Sequence, residues 1–134
     1  MEEIQKLLTT VSDLKFIGLS FNQTISQENY NGDVFYIVGN DDEAVIGINQ
    51  SYLKVYSISD EDIVFMNSSF EKLIKCIYFF NENIDLFEEG FDEKKRKKEV
   101  KVVTKGIKEI DKEALIGEEF WWSLILEQTE DGLL

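Results

Sequence analysis

Ile4, Leu7, Leu8, Val11 and Leu14 fall at i, i+3, i+4, i+7 and i+10, so residues 2–14 are predicted to form an amphipathic helix. The apolar run Phe16 to Phe21 predicts a first strand, and the polar stretch 22–33, with Asn31-Gly32, predicts a loop. A clearer β pattern follows. Val34–Gly39, Ala44–Ile48, Tyr52–Ile58 and Ile63–Met66 are rich in β-branched and aromatic residues. They are separated by turn-forming segments at 40–43, 49–51 and 59–62. Short strands joined by such short loops imply an antiparallel meander.

Beyond residue 67 the period changes from strand to helix. Ser68 followed by Glu71 has the capping-box arrangement, and Phe70, Leu73, Ile74, Ile77 and Phe80 share one helical face, leaving Glu71, Lys72 and Lys75 to water. Residues 81–90 are acidic and end in Gly90. Val100, Val102 and Val103 suggest a strand. However, Val100, Val103, Ile107 and Ile110 keep 3-4-3 spacing, and the segment 92–109 is assigned to helix, with Gly106 as its weak point. Asp111 is the expected N-cap of a short turn through Leu115, and a last helix is expected over Glu118–Glu130, stopped by Gly132. The expected fold class is α+β: an antiparallel sheet (meander) packed against helices, as a single domain over residues 1–134.

Composition narrows the function. The chain has no histidine, which removes Ser-His, Cys-His and His-metal chemistry. Its one cysteine, Cys76, sits in an apolar helix and reads as a buried structural thiol; it permits neither an internal disulfide nor a zinc site of cysteine pairs. There is no Gly-rich phosphate loop or EF-hand pattern, so no cofactor and no metal is expected. Carboxylates remain available, and a carboxylate-dependent hydrolase is kept as a competing reading; it would need two acids of separated pKa in a cleft. The acidic start Met-Glu-Glu and the absence of a long apolar run lead to the expectation of a cytoplasmic protein. The triplets at Asn22, Asn49 and Asn67 then read as chance glycosylation-like matches.

The net charge is -13, which disfavours nucleic acid and anionic membranes and favours a basic protein partner. The charge is uneven: nine of the fourteen basic residues lie between Lys94 and Lys112, including the run 94–98. Without interleaved aromatic or base-reading groups, that run reads as the solvated face of a helix. In a meander the turns at 40–43 and 59–62 emerge at the same end of the sheet. Asp41, Asp42, Glu43, Asp60, Glu61 and Asp62 are therefore the candidate partner-binding carboxylates, although local turn chemistry accounts for them as well. Trp121 and Trp122 point about 100° apart on a helix. One is expected to face the core, leaving Trp122 as a further candidate partner contact.

Ile63-Val64-Phe65-Met66-Asn67-Ser68-Ser69-Phe70, a strand ending in Asn-Ser-Ser before an amphipathic helix, resembles the SUKH superfamily, in particular its bacterial toxin-immunity branch. Tyr36-Ile37-Val38-Gly39-Asn40-Asp41, and Ile110-Asp111-Lys112-Glu113-Ala114-Leu115 followed by Phe120-Trp121, are similar too; together they cover about residues 34–80 and 108–132. Many members carry a Leu-Pro step after the first helix, and this chain contains no proline, so residues 1–33 stand outside the resemblance. The resemblance implies an antiparallel sheet with helices on one side. It also implies a cytoplasmic, non-enzymatic antitoxin that binds a cognate polymorphic toxin, often a nuclease, with Asn67 and Ser68 capping a helix rather than touching the toxin. The alternative within the superfamily is a regulatory or scaffolding module that binds another cellular protein.

Overall fold

The computed structural model describes residues 1–88 and 90–134; Glu89, within the acidic stretch 81–90, lies outside them. Helix α1 (Glu2–Thr10) precedes five strands, β1 (Leu19–Tyr30), β2 (Asp33–Asp41), β3 (Ala44–Asn49), β4 (Val55–Ile58) and β5 (Ile63–Asn67). Helices α2 (Phe70–Asn83) and α3 (Glu93–Ile110), a 3-10 turn (Lys112–Leu115) and α4 (Trp121–Glu130) complete the chain. The strands lie in the order β1-β2-β3-β4-β5, each antiparallel to its neighbour, so the expected α+β meander is present.

Alternation along the strands sends Val38, Ile46, Ile48, Val55 and Met66 to one face, where they meet Leu8 and Val11 from the N-terminal segment, Leu73, Ile77 and Phe80 of α2, Val103 and Ile107 of α3, and Trp122 and Leu126 of α4. Helices α1, α2, α3 and α4 each contribute to this one face. The opposite face carries a smaller apolar cluster of Phe35, Ile37 and Ile58, flanked by Tyr30, Val45, Tyr56 and Ile63. Gly47 lies within this cluster, where a Cβ would press on Ile58 and Phe35.

Several boundaries differ from expectation, each for a local reason. Helix α1 stops at Thr10 rather than residue 14: Thr9 and Thr10 donate their hydroxyls to the carbonyls of Gln5 and Leu7, and Val11 and Leu14 reach inward from the turn that follows. The expected loop 22–33 is mostly strand, and the strand placed at Phe16–Phe21 begins at Leu19 and runs to Tyr30. As an edge strand it has few apolar positions to alternate, and residues 22–25 bulge opposite Val38 alone. Asn31-Gly32 is a two-residue hairpin turn with both residues at positive φ, +54° and +88°. The strand expected at Tyr52 starts only at Val55, because Asn49 Oδ1 accepts from the backbone N–H groups of Ser51 and Tyr52 and holds a wider turn.

Helix α2 is capped by Ser69, whose hydroxyl accepts from Lys72 N–H, so the N-cap lies one residue beyond the expected Ser68. Helix α3 confirms the helical reading of the valine-rich segment; Asp92 caps it. Gly106 lies at the contact between α2 and α3. It faces Phe79 of α2, and any Cβ there would overlap the ring, so the glycine sets how closely α2 and α3 approach. Helix α4 starts at Trp121, three residues later than expected, after Phe120 leaves the chain extended. Gly132 ends it at φ +70°, with Leu133 N–H returning to Gln128 O.

Candidate functional site

Two polar networks, one partly buried at Asp41 and one buried at Asn67, fix α4 on the sheet. At the end of β2, Asp41 Oδ2 accepts from Trp121 Nε1–H at 2.8 Å and from Ser57 Oγ at 3.0 Å. At the end of β5, Asn67 Oδ1 accepts from Trp122 Nε1–H at 2.8 Å, while Asn67 Nδ2 donates to Asp111 Oδ2 at 2.9 Å and lies 3.6 Å from Cys76 Sγ. Asp111 also accepts from Ser68 N–H at 2.8 Å and Ser68 Oγ at 2.9 Å. It therefore spends its carboxylate on the β5–α2 junction and makes no side-chain cap to the turn it precedes, correcting the role expected for it. Both Asn67 and Ser68 point into this junction; neither side chain is the N-cap of α2.

Both tryptophans are buried, Trp122 completely, and they meet edge to face at 4.9 Å between ring centroids. Trp122 is thus a core residue and not a surface contact. The two indoles of one helix point to different strand ends, and each finds an acceptor there, so neither side of α4 leaves a tryptophan in water.

The six carboxylates proposed from the turns do come from one end of the sheet, because β2, β3, β4 and β5 alternate in direction. They do not behave alike. Asp41 turns inward onto Trp121. Asp42, at φ +51°, takes its N–H back to Gly18 O at 3.1 Å and borders a broad groove of about 1110 Å³ with Phe16, Ile84 and Phe87. Glu43 is exposed beside it. Asp60, Glu61 and Asp62 form the exposed tip of the β4–β5 turn, which is held by the Asp62 N–H bond to Ser59 Oγ at 3.2 Å. The β1–β2 hairpin tip lies beside this turn, since Tyr30 and Asn31 line the same shallow recess as Ile58 to Ile63. The Tyr30 hydroxyl is pushed up to about 12, first by its hydrogen bond to Glu28, then by burial and by the charges of Glu28 and Asp60.

Cys76 is fully buried, and burial pushes its thiol up to about 12, against a smaller opposing effect of the Asn67 hydrogen bond. It is a core thiol, as expected from its helix position. The basic segment is also resolved into a clear pattern. Lys94, Lys98, Lys101, Lys105 and Lys108 recur at steps of four and three, within an arc of about 80° on α3. All five are exposed on the side away from Val103 and Ile107, and among the described residues none of them forms an ion pair. Lys95 and Lys97 are instead bridged to Glu88 and Glu93, and Arg96 to Glu99. No helix among the described residues is long and apolar enough to cross a membrane.

The arrangement defines a protein with helices on one sheet face, a smaller buried apolar cluster on the other, and acidic turns at one end. That class is made specific by comparison with known families. The model of the family described as SUKH-4 immunity protein matches residues 22–128, and the chain belongs to this family, within the SUKH superfamily. The match extends into β1 and through α3, beyond the resembling segments at 34–80 and 108–132. No curated protein and no solved structure matches the chain. Membership supports an immunity role exercised by binding a toxin, and suggests a protein that does not itself catalyse a reaction.

Proposed function

We propose that this protein acts in the cytoplasm as the antitoxin of one cognate polymorphic toxin, binding the toxin directly and occluding its working surface. The observation that carries the immunity reading is the family match over residues 22–128. The surface we assign to the toxin is the acidic sheet end: the exposed carboxylates Asp42, Glu43, Asp60, Glu61 and Asp62. Asp41 and Trp122 contribute by holding the scaffold beneath it. Net charge -13 makes a basic target the natural one, and a nuclease, whose substrate groove must attract phosphates, presents such a face. Carboxylates at that groove take the place of the phosphates and deny access to nucleic acid.

The experiment is calorimetric titration of the purified product of the neighbouring gene, with the wild type and with a variant carrying Asp42→Lys, Glu43→Lys, Asp60→Lys, Glu61→Lys and Asp62→Lys. Asp41 is left in place because its loss would disturb Trp121. The expected result is tight wild-type binding that weakens with salt, and a charge-reversed variant weakened by about 100-fold. Equal affinity and equal salt dependence of the two proteins would remove the acidic end from the interface.

A further inference from the structure

The sheet face opposite the helices offers a second feature, distinct from the turn carboxylates. A chain of aromatic rings crosses it: Tyr30 to Phe35 at 6.0 Å between centroids, Phe35 to Tyr56 at 5.9 Å, Tyr56 to Phe65 at 5.7 Å and Phe65 to Phe120 at 5.0 Å. At the β1 side this chain is closed over, and Phe35 is buried. At the β5 side it opens into a groove of about 670 Å³ between the strands and the segment leading into α4. Tyr56, Phe65 and Phe120 line it and are only half-buried, and Ile116 stands at its rim 69% exposed. A volume of several hundred cubic ångströms lined by aromatic rings is the size and chemistry of a binding cleft.

Its charges are unbalanced. Lys54 is the one cation lining the groove among the described residues, against the carboxylates of Asp62, Glu113 and Glu119. Lys54 is bridged to Glu113 at 3.0 Å, which leaves Asp62 and Glu119 without a cation. The same Lys54 ammonium lies 5.9 Å from the centroid of the Phe65 ring, so the aromatic lining already holds one cation in this fold. The free carboxylates and the ring faces together fit a planar cation, which can stack on an aromatic face while its N–H groups reach carboxylates. A second copy of this chain is a poor occupant, because it brings a net charge of -13 to an acidic groove.

We propose that this groove receives an arginine of the toxin, its guanidinium stacked on Phe65 and Phe120 between Asp62 and Glu119, with a neighbouring apolar residue of the toxin against Ile116. The inference rests on the immunity reading and deepens it. Asp62 belongs both to the acidic turn and to this groove, so the interface runs continuously from the turn tip onto the open sheet face. Arginine, with tryptophan and tyrosine, is enriched among the few residues that carry most of the binding energy of protein interfaces, and charged groups at the rim serve mainly to speed encounter.

The test needs no toxin. The 15N-labelled full chain is titrated by NMR with a capped Gly-Arg-Leu-Gly peptide and, separately, with its Gly-Glu-Leu-Gly counterpart. The arginine peptide should give saturable shifts confined to residues 54–65 and 113–120, with about tenfold weaker binding for the glutamate peptide. The Asp62→Lys/Glu119→Lys double variant, both sites being exposed and outside the core, should keep its dispersed spectrum and lose the response. Absence of localised shifts, equal response to the two peptides, or an undiminished response in the double variant would overturn the proposal. Each of these outcomes would leave the immunity reading intact, since that reading is tested on the toxin itself.

Discussion

Replacing Asp111 by alanine removes the acceptor for three donors that meet at the β5–α2 junction: Asn67 Nδ2, Ser68 N–H and Ser68 Oγ. Asn67 is completely buried, so its Nδ2 group would keep only the long contact to Cys76 Sγ, and a buried donor left without an acceptor costs about 1–3 kcal/mol. The two Ser68 groups are only partly buried and can recruit water, which limits their combined cost to about 1 kcal/mol. Removing a buried carboxylate also returns its desolvation penalty, which keeps the total below the sum of the upper limits. The expected loss is about 3 kcal/mol, or a fall in Tm of about 10 °C for a chain of this size. Urea denaturation followed by tryptophan fluorescence is the assay, with Trp122 reporting directly on Asn67. Asn67→Ala and the double variant close a thermodynamic cycle, in which the two losses should be clearly sub-additive. A loss under about 1 kcal/mol for Asp111→Ala with an unchanged m-value, or simple additivity, would refute the idea that this network clamps the junction.

Three further predictions test other parts of the account. Gly106→Ala should destabilise by about 1–2 kcal/mol in urea despite the higher helix propensity of alanine, because the new Cβ must displace the Phe79 ring; Phe79→Leu in the same background should recover part of the loss. Cys76 should resist a thiol-specific disulfide reagent at pH 8 in the native protein and react on unfolding. Its folded pKa, about 12, lies above the reference value of 9.0. The unfolded chain therefore gives up the proton first, so the stability is full below pH 9 and is lost as pH rises toward 12. Cys76→Ala should flatten that alkaline decline, leaving the smaller contribution of Tyr30 above pH 10. Trp121→Phe, which keeps an aromatic ring but removes the N–H donated to Asp41, should cost about 1–2 kcal/mol by chemical denaturation.

Strands β2 to β5 were legible in the sequence because their apolar runs are separated by segments with strong turn chemistry, and α2 and α3 because their buried positions keep helical spacing. β1 was not legible. Its outer half is wet on both faces, so Gln23, Thr24, Ser26 and Gln27 carry no alternation, and only Asn31-Gly32 signals the hairpin. The parity of the meander was enough to bring the turns at 42–43 and 59–62 to one end of the sheet. It could not separate Asp41 from the other carboxylates, because its partner Trp121 lies 80 residues away and the pairing is purely tertiary. The burial of Trp122 was hidden for the same reason: its acceptor, Asn67, is 55 residues distant. A signal for the aromatic second face was present. The unbroken apolar run Val34 to Val38 is the mark of a strand with apolar neighbours on both faces, and Phe35 and Ile37 are the half that the helices do not cover.

Protection of a cell by binding one toxin is tested most directly by growth of a sensitive host that expresses the product of the gene neighbouring this one, with and without the chain, together with co-purification of the pair. Restored growth and a stoichiometric complex with the toxin domain are predicted. Undiminished killing with both proteins present and folded, and no complex between them, would contradict the immunity function.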